Sequence, residues 1–392
     1  MESYVRKNQK KLRCGFTTGT CATAAASAAA TRLLFGIVKK EVRVHTPKQV
    51  ILSIPVYEEK TEINAAQFFV EKDSGDDPDV TNHTKIHVCV RKVFEKYKSN
   101  YVFYDSVYPL LSLDGGIGVG RVTREGLEQN IGYAAINKVP RSMIFQAVEE
   151  VRKMASYEGR LHITVIVPEG ERLAKKTFNP KLGIEGGISI LGTSGIIEPM
   201  SEKAIVDTIE TQIRQLSRQG EKSLLVTPGN YGQSYAAKYC GLNLEDSVKC
   251  SNYIGETIDL AVSYGMKRFL LVGNIGKLCK LAAGIMNTHS KVADGRKEIF
   301  ITHTIFSGGT RWMAEELADC ITTEKMLEKL EVWGLREDVM KSICQEITKV
   351  LKHRMGEDME FGVLLFSENF GFLGEVGDGK KLISQIREEQ KR

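Results

Sequence analysis

The chain has 392 residues, enough for two or three domains of ordinary size, and with 42% apolar residues it can bury sizeable cores. Lys and Arg outnumber Asp and Glu by 54 to 49, the pI is about 8.6, and no long basic block occurs, which excludes a nucleic-acid binder and suits small anionic ligands. Eight cysteines without a C-x-x-C pair exclude a zinc ribbon or thioredoxin motif and read as reduced thiols of a cytoplasmic protein; no run of about 18 apolar residues exists, so no membrane span is expected.

Basic residues up to Arg13 precede the turn Gly15-Phe16-Thr17-Thr18-Gly19-Thr20 and an alanine-rich run. The pattern resembles a signal peptide, but Thr23 and Ser27 interrupt it and alanine is only weakly apolar. It reads as a helix over 22–35 of the mature protein, with Thr17, Thr18 and Thr20 as candidate N-caps and Gly36 as C-cap. The threonine turn and helix start are also a candidate anion site.

Residues 41–45, 50–56, 65–71, 85–93 and 101–104 show alternation or β-branched runs and read as strands. The acidic turn at 73–79, DSGDDPD, lacks the spacing of a calcium loop and reads as solvated. No long helix separates these strands, so a mostly antiparallel sheet is expected, covered on one face by the helix at 22–35. Asp114 opens the glycine-dense DGGIGVG, a loop that must pass close to something, although its spacing fails the dinucleotide fingerprint. Arg121, Arg124 and Arg141 lie beside glycine or proline turns, and guanidinium groups bind carboxylates bidentately. A strand at 161–167 and an aperiodic stretch at 169–187 close an α+β domain over 1–180.

The remainder, 181–392, alternates strands with helices and reads as a Rossmann-like parallel α/β domain. Strands are expected at 188–191, 223–226, 247–250, 268–272 and 298–302, with helices at 201–218, 233–239, 255–264 and 277–286 between them. Two amphipathic helices (311–330 and 336–351), a strand (361–366) and a basic helical tail follow. Ligands of such sheets sit outside the carboxyl ends of the strands, where this chain carries Gly192-Thr193-Ser194-Gly195, Gly229-Asn230 and Gly273-Asn274. Gly195→Val is expected to weaken ligand binding there with little loss of folding. The segment 273–278 lacks the first glycine of a phosphate loop and has Leu278 where Ser or Thr is required, which excludes a P-loop ATPase. His303 stands at an expected strand end as a candidate base or a structural histidine. No spacing suggests a protein-bound metal.

GFTTGTCATAAASAAA (15–30), DGGIGVGRVTREGL (114–127), INKVPRSMI (136–144), ILGTSGIIEPMS (190–201), TPGNYG (227–232), VGNIGKLCKLAAG (272–284) and HTIFSGGT (303–310) together resemble the cobalt-precorrin-5B C1-methyltransferase family, CbiD, in order along nearly the whole chain. Thr23 and Ser27, and Tyr133-Ala134 where Glu-Pro is typical, depart from its pattern. From charge and hydropathy no nucleic-acid or membrane partner is expected; the resemblance implies S-adenosylmethionine as methyl donor and a cobalt corrinoid as acceptor. It makes Gly192, Thr193, Ser194, Gly195, Glu198, Gly229, Asn230, Gly273 and Asn274 the expected donor site. Thr17, Thr18, Thr20, Arg121, Arg124 and Arg141 become the expected acceptor site. Asp114 and His303 are the side chains to test first for proton removal. Thr227 occupies the place where many methyltransferases carry an acid for the ribose hydroxyls, and Glu198 or Asn230 is the substitute sought. A dinucleotide-dependent oxidoreductase and a non-catalytic corrinoid carrier are the alternatives; the sequence sets no oligomeric state.

Overall fold

In the computed structural model, which describes residues 3–7, 10–96 and 100–391, the chain divides into two compact units, Met1–Glu202 and Lys203–Arg392. Both mix helices with sheets of mixed orientation.

The first unit is built on a six-stranded sheet in the order Tyr57–Glu62, Ala65–Glu71, Lys85–Val93, Arg160–Ile166, Leu111–Gly115, Phe103–Tyr104. Neighbours are antiparallel except Arg160–Ile166 with Leu111–Gly115, which run parallel. Alternation puts Phe68, Val70, Ile86, Val88, Val90, Leu113, Ile163 and Val165 on one face, packed under helices Thr18–Phe35 and Lys138–Met154. Every residue from Thr18 to Thr31 is buried, and small side chains make that possible. At Gly19 a Cβ would lie 2.8 Å from Pro140 Cγ, so the two helices meet closer than a larger residue permits. Thr17 caps the first helix, its side chain accepting from the Thr20 amide at 3.2 Å, and Gly36 ends it at φ 73°.

Three sequence expectations change here. Tyr57–Glu62, exposed at every residue, is an edge strand that its polar sequence hides. The acidic turn is not merely solvated: Lys72 is 1% exposed, and its ammonium donates to Asp79 at 2.7 Å and Ser74 at 2.6 Å. Residues 188–191 do not begin a parallel α/β sheet. Gly187–Ile188 pairs with Gly118–Val119, Ile196–Ile197 pairs antiparallel with Gly15–Phe16, and the whole segment to Glu202 belongs to the first unit.

The second unit holds a five-stranded sheet in the order Val248–Lys249, Ser223–Thr227, Arg268–Asn274, Glu360–Ser367, Gly371–Gly377. The first four are mutually parallel and the last is an antiparallel edge, unforeseen in the sequence because glycines punctuate it. Helices Asn230–Cys240 and Gly379–Glu389 cover one face with Ala236, Cys240, Leu382 and Ile386. Glu202–Arg218, Ile254–Ser263 and Arg336–Met355 contribute to the larger core on the other. Residues 298–302, expected as a strand, lie inside helix Arg296–Phe306. Their β-branched density suggests a strand, but Ile299, Phe300, His303 and Thr304 recur at helical spacing and are the residues buried. Gly295, at φ 65°, starts that helix.

Candidate active site

The expected donor residues are divided between the units. Gly192, Thr193, Ser194, Gly195 and Glu198 lie in the first, where they meet the threonine turn rather than a parallel-sheet edge. Thr18 Oγ1 donates to the Leu191 carbonyl at 3.2 Å and accepts from the Leu191 amide at 2.8 Å. The Gly19 amide donates to the same carbonyl at 2.9 Å. Thr20 Oγ1 donates to the Gly195 carbonyl at 2.7 Å, and the Thr17 amide reaches it at 3.3 Å. Glu198 is paired with Lys48. The threonines therefore spend their hydrogen bonds on the 191–195 loop. Gly192 is required at φ 148°, where a Cβ would meet Thr17 Oγ1 at 2.2 Å; Gly195 is required at φ 77°, where one would meet Thr46 Cβ at 2.7 Å. Valine at 195 is thus incompatible with the folded backbone, against the expectation of little folding loss.

The glycine-dense loop after Asp114 approaches the protein's own backbone. A Cβ at Gly118 would fall 1.8 Å from the Val167 carbonyl oxygen. Beyond it, Arg121 turns back on the sheet. Its guanidinium holds Asp114 bidentately at 2.8 and 3.0 Å and donates to the Gly115 carbonyl at 2.6 Å. Asp114 also accepts from the Gly115 amide at 2.8 Å. These two side chains line an open cavity of about 480 Å³ with Tyr101, Val122, Thr123, Ile131 and Gly132, and without the 192–195 turn. Tyr101 stands edge-on to Tyr133 at 5.9 Å, Tyr133 packs on Phe103 at 5.1 Å, and Arg141 lies over the Phe103 ring at 4.3 Å. Arg141 also donates to the Ile136 carbonyl at 3.2 Å, and burial holds its guanidinium below the usual arginine range. Arg124 lies across Gly183. An aromatic row thus joins Arg141 to the Asp114–Arg121 pair; Tyr101 and Phe103 had no sequence signal beyond their strand pattern. On the face of the sheet opposite Leu113 and Ile163, Ser112 Oγ lies 2.9 Å from His162 Nδ1. Burial pushes His162 down to about 4, against the opposing pull of Asp114.

In the second unit, Gly229, Asn230, Gly273 and Asn274 do stand at carboxyl ends of parallel strands. Gly229 begins helix Asn230–Cys240 with no side-chain cap. Asn274 caps the next turn, its Oδ1 accepting from the Gly276 amide at 2.8 Å. The two loops touch: a Cβ at Gly273 would lie 3.2 Å from Pro228 Cδ, and one at Gly232 would lie 2.5 Å from the Val272 carbonyl oxygen. Thr227, wholly buried at the end of its strand, has an Oγ1 without a partner. Strand Ser223–Thr227 is followed by a helix on one face of the sheet, and Arg268–Asn274 by the helical turn Ile275–Leu278 on the other. The crevice between Ser223–Thr227 and Arg268–Asn274 is therefore the topological switch point, where open α/β sheets bind ligands. His303 is not at this edge. It sits in the last turn of helix Arg296–Phe306 with Nδ1 2.8 Å from Ser342 Oγ, and burial lowers its pKa.

The CbiD family profile matches residues 5–199, and that of the CbiD C-terminal domain matches 287–377. A cobalt-precorrin-5B C(1)-methyltransferase of Ruminiclostridium cellulolyticum is 44% identical over 94% of this chain and 92% of its own length. The chain belongs to the CbiD family. Another CbiD relative, the cobalt-precorrin-5B C(1)-methyltransferase of Alkaliphilus metalliredigens, is 38% identical over 99% of both chains. A crystal structure of the cobalamin biosynthesis protein CbiD from Archaeoglobus fulgidus is 28% identical, covering 75% of this chain and 87% of that one at a TM-score of 0.39. No helix among the described residues is long and apolar enough to cross a membrane.

Proposed function

We propose that this protein is a C-methyltransferase that moves the methyl group of S-adenosylmethionine to C-1 of cobalt-precorrin-5B, giving cobalt-precorrin-6A in cobalamin biosynthesis. Identity to proteins named for that reaction, sustained over 94% and 99% of the chain, carries the reading. The cobalt belongs to the acceptor and is written as substrate. Eight free thiols suit a reducing cytoplasm.

The second unit, read as Rossmann-like, takes the donor. The uncapped start of helix Asn230–Cys240, the orphaned Thr227 hydroxyl and the Gly273–Asn274 turn suit a ligand with a carboxylate and hydroxyls. When bound, the donor supplies an electrophilic methyl on a sulfonium, so no Walker-type lysine is needed. The first unit takes the acceptor. A flat macrocycle matches the Tyr101–Tyr133–Phe103 row, and its acetate and propionate arms match Arg121, Arg124 and Arg141. An incoming carboxylate competes with Asp114 for Arg121. Asp114, already held by a guanidinium and an amide, orients Arg121. The chain's main task is alignment, bringing the nucleophilic ring carbon to ~3–3.5 Å of the methyl with water excluded.

Incubating the full chain with methyl-labelled S-adenosylmethionine and cobalt-precorrin-5B tests this. Label in the corrinoid is the expected result. Corrinoid binding without transfer makes the protein a carrier, and consumption of a reduced dinucleotide makes it an oxidoreductase.

A further inference from the structure

The carboxyl edge of the second sheet separates its charges. At the end formed by Ser223–Thr227 and Val248–Lys249, Lys249 Nζ donates to Asn230 Oδ1 at 2.6 Å, and Lys277 Nζ reaches the Ser251 carbonyl at 3.5 Å. At the other end stands Glu324, in the first turn of helix Thr323–Val332. Its Oε1 accepts from the amide of Glu368, the residue that follows strand Glu360–Ser367, at 3.3 Å. Its neighbour Thr323 faces the turn after Arg268–Asn274, with Oγ1 3.2 Å from where a Cβ at Gly276 would lie. Glu324 is thus fixed at the end of strand Glu360–Ser367, on a helix whose first residue borders the turn after Arg268–Asn274. Its second oxygen, Oε2, is buried and has no hydrogen-bond partner.

A buried carboxylate oxygen without a donor is costly, and such groups normally have one. The Thr227 hydroxyl is a second buried polar group left unmatched along the same edge. A ligand carrying both an anionic and a hydroxylated end answers both. On the reading that this edge holds S-adenosylmethionine, the polarity also sets its direction. The donor's carboxylate is drawn to the lysine end and the helix start. Its ammonium shares a carbon with that carboxylate and goes with it. What remains for the acidic end is the vicinal diol of the ribose. We propose that Glu324 holds the ribose hydroxyls of the methyl donor, with the donor's carboxylate directed toward Lys249, Lys277 and the start of helix Asn230–Cys240. The acid lies on a helix rather than at a strand end, which is why neither Glu198 nor Asn230 needs to fill that part.

Calorimetry on the full chain tests the assignment without turnover, using S-adenosylhomocysteine, its 2′-deoxy analogue and 5′-methylthioadenosine, with thermal melting to establish that Glu324→Gln is folded. The unsubstituted protein should bind the deoxy analogue roughly tenfold to a hundredfold more weakly than S-adenosylhomocysteine. Glu324→Gln should lose a similar factor for S-adenosylhomocysteine and 5′-methylthioadenosine alike, and should bind the deoxy analogue about as well as the unsubstituted protein does. A Glu324→Gln protein that still discriminates fully between ribose and deoxyribose overturns the proposal. So does a loss confined to S-adenosylhomocysteine, which would assign Glu324 to the ammonium. If the unsubstituted protein binds none of the three, the donor site itself is refuted, and the proposal with it.

Discussion

Two glycine turns invite the same reading and have opposite fates. The 191–195 loop of the first unit is tied by its carbonyls to Thr17, Thr18, Gly19 and Thr20, and its glycines are where a side chain has no room. The 227–230 loop of the second unit ends in a helix start without a cap, beside a hydroxyl without a partner. A Cβ at Gly192 or Gly195 would meet Thr17 or Thr46, whereas one at Gly229 would meet nothing of the protein within 4 Å. Whether the approaching body is protein or ligand is decided by where the neighbouring polar groups find their hydrogen bonds.

That contrast can be broken in several ways. Gly195→Val forces a branched side chain to φ 77° against Thr46, and should cost about 3 kcal/mol or more in urea unfolding. Gly229→Ala, at φ −177° with nothing within 4 Å, should cost about 1 kcal/mol at most and show instead in donor affinity. Equal stability losses would erase the distinction. Acid probes a buried side chain of the first unit. His162 is held near 4 in the folded state against an ordinary 6.5, so the neutral ring's contribution is complete above 6.5 and is lost as pH falls from there toward 4. The loss amounts to roughly 3 kcal/mol at most. His162→Gln should flatten the fall in unfolding free energy between pH 7 and pH 5. Thr20→Val removes the hydroxyl that serves the Gly195 carbonyl, at about 1–3 kcal/mol in the same assay. Thr227→Val should be the mildest, within about 0.5 kcal/mol of unchanged stability, because its hydroxyl satisfies nothing in the free protein. A large destabilisation there would mean that the hydroxyl has a structural partner.

Much of the architecture was legible in local pattern. The capped alanine helix, strands Ala65–Glu71 and Lys85–Val93, and the strand–helix alternation after Lys203 follow from period and turn chemistry. What was not legible depends on partners far along the chain. Nothing near Ile188 tells that it pairs with Val119 rather than opening a parallel sheet, and nothing near His303 outweighs the strand propensity of its neighbours except burial. The arginine set was legible as chemistry but not as geometry, since Asp114 and Arg121 meet only because the 115–120 loop doubles back. Glu324 gave no local signal, because its place at the sheet edge comes from the amide of Glu368.

The alanine helix near the N-terminus has a consequence for how the protein is made. It has no face fit for water, and its cover comes from Ala65–Glu71, Lys85–Val93 and Lys138–Met154, with Leu191 closing the turn above it. During synthesis an unsheltered rod of small apolar residues therefore waits while more than a hundred further residues leave the ribosome. Fragments that stop before Ile188 should aggregate, and fragments that reach Glu202 should be the shortest to stay in solution.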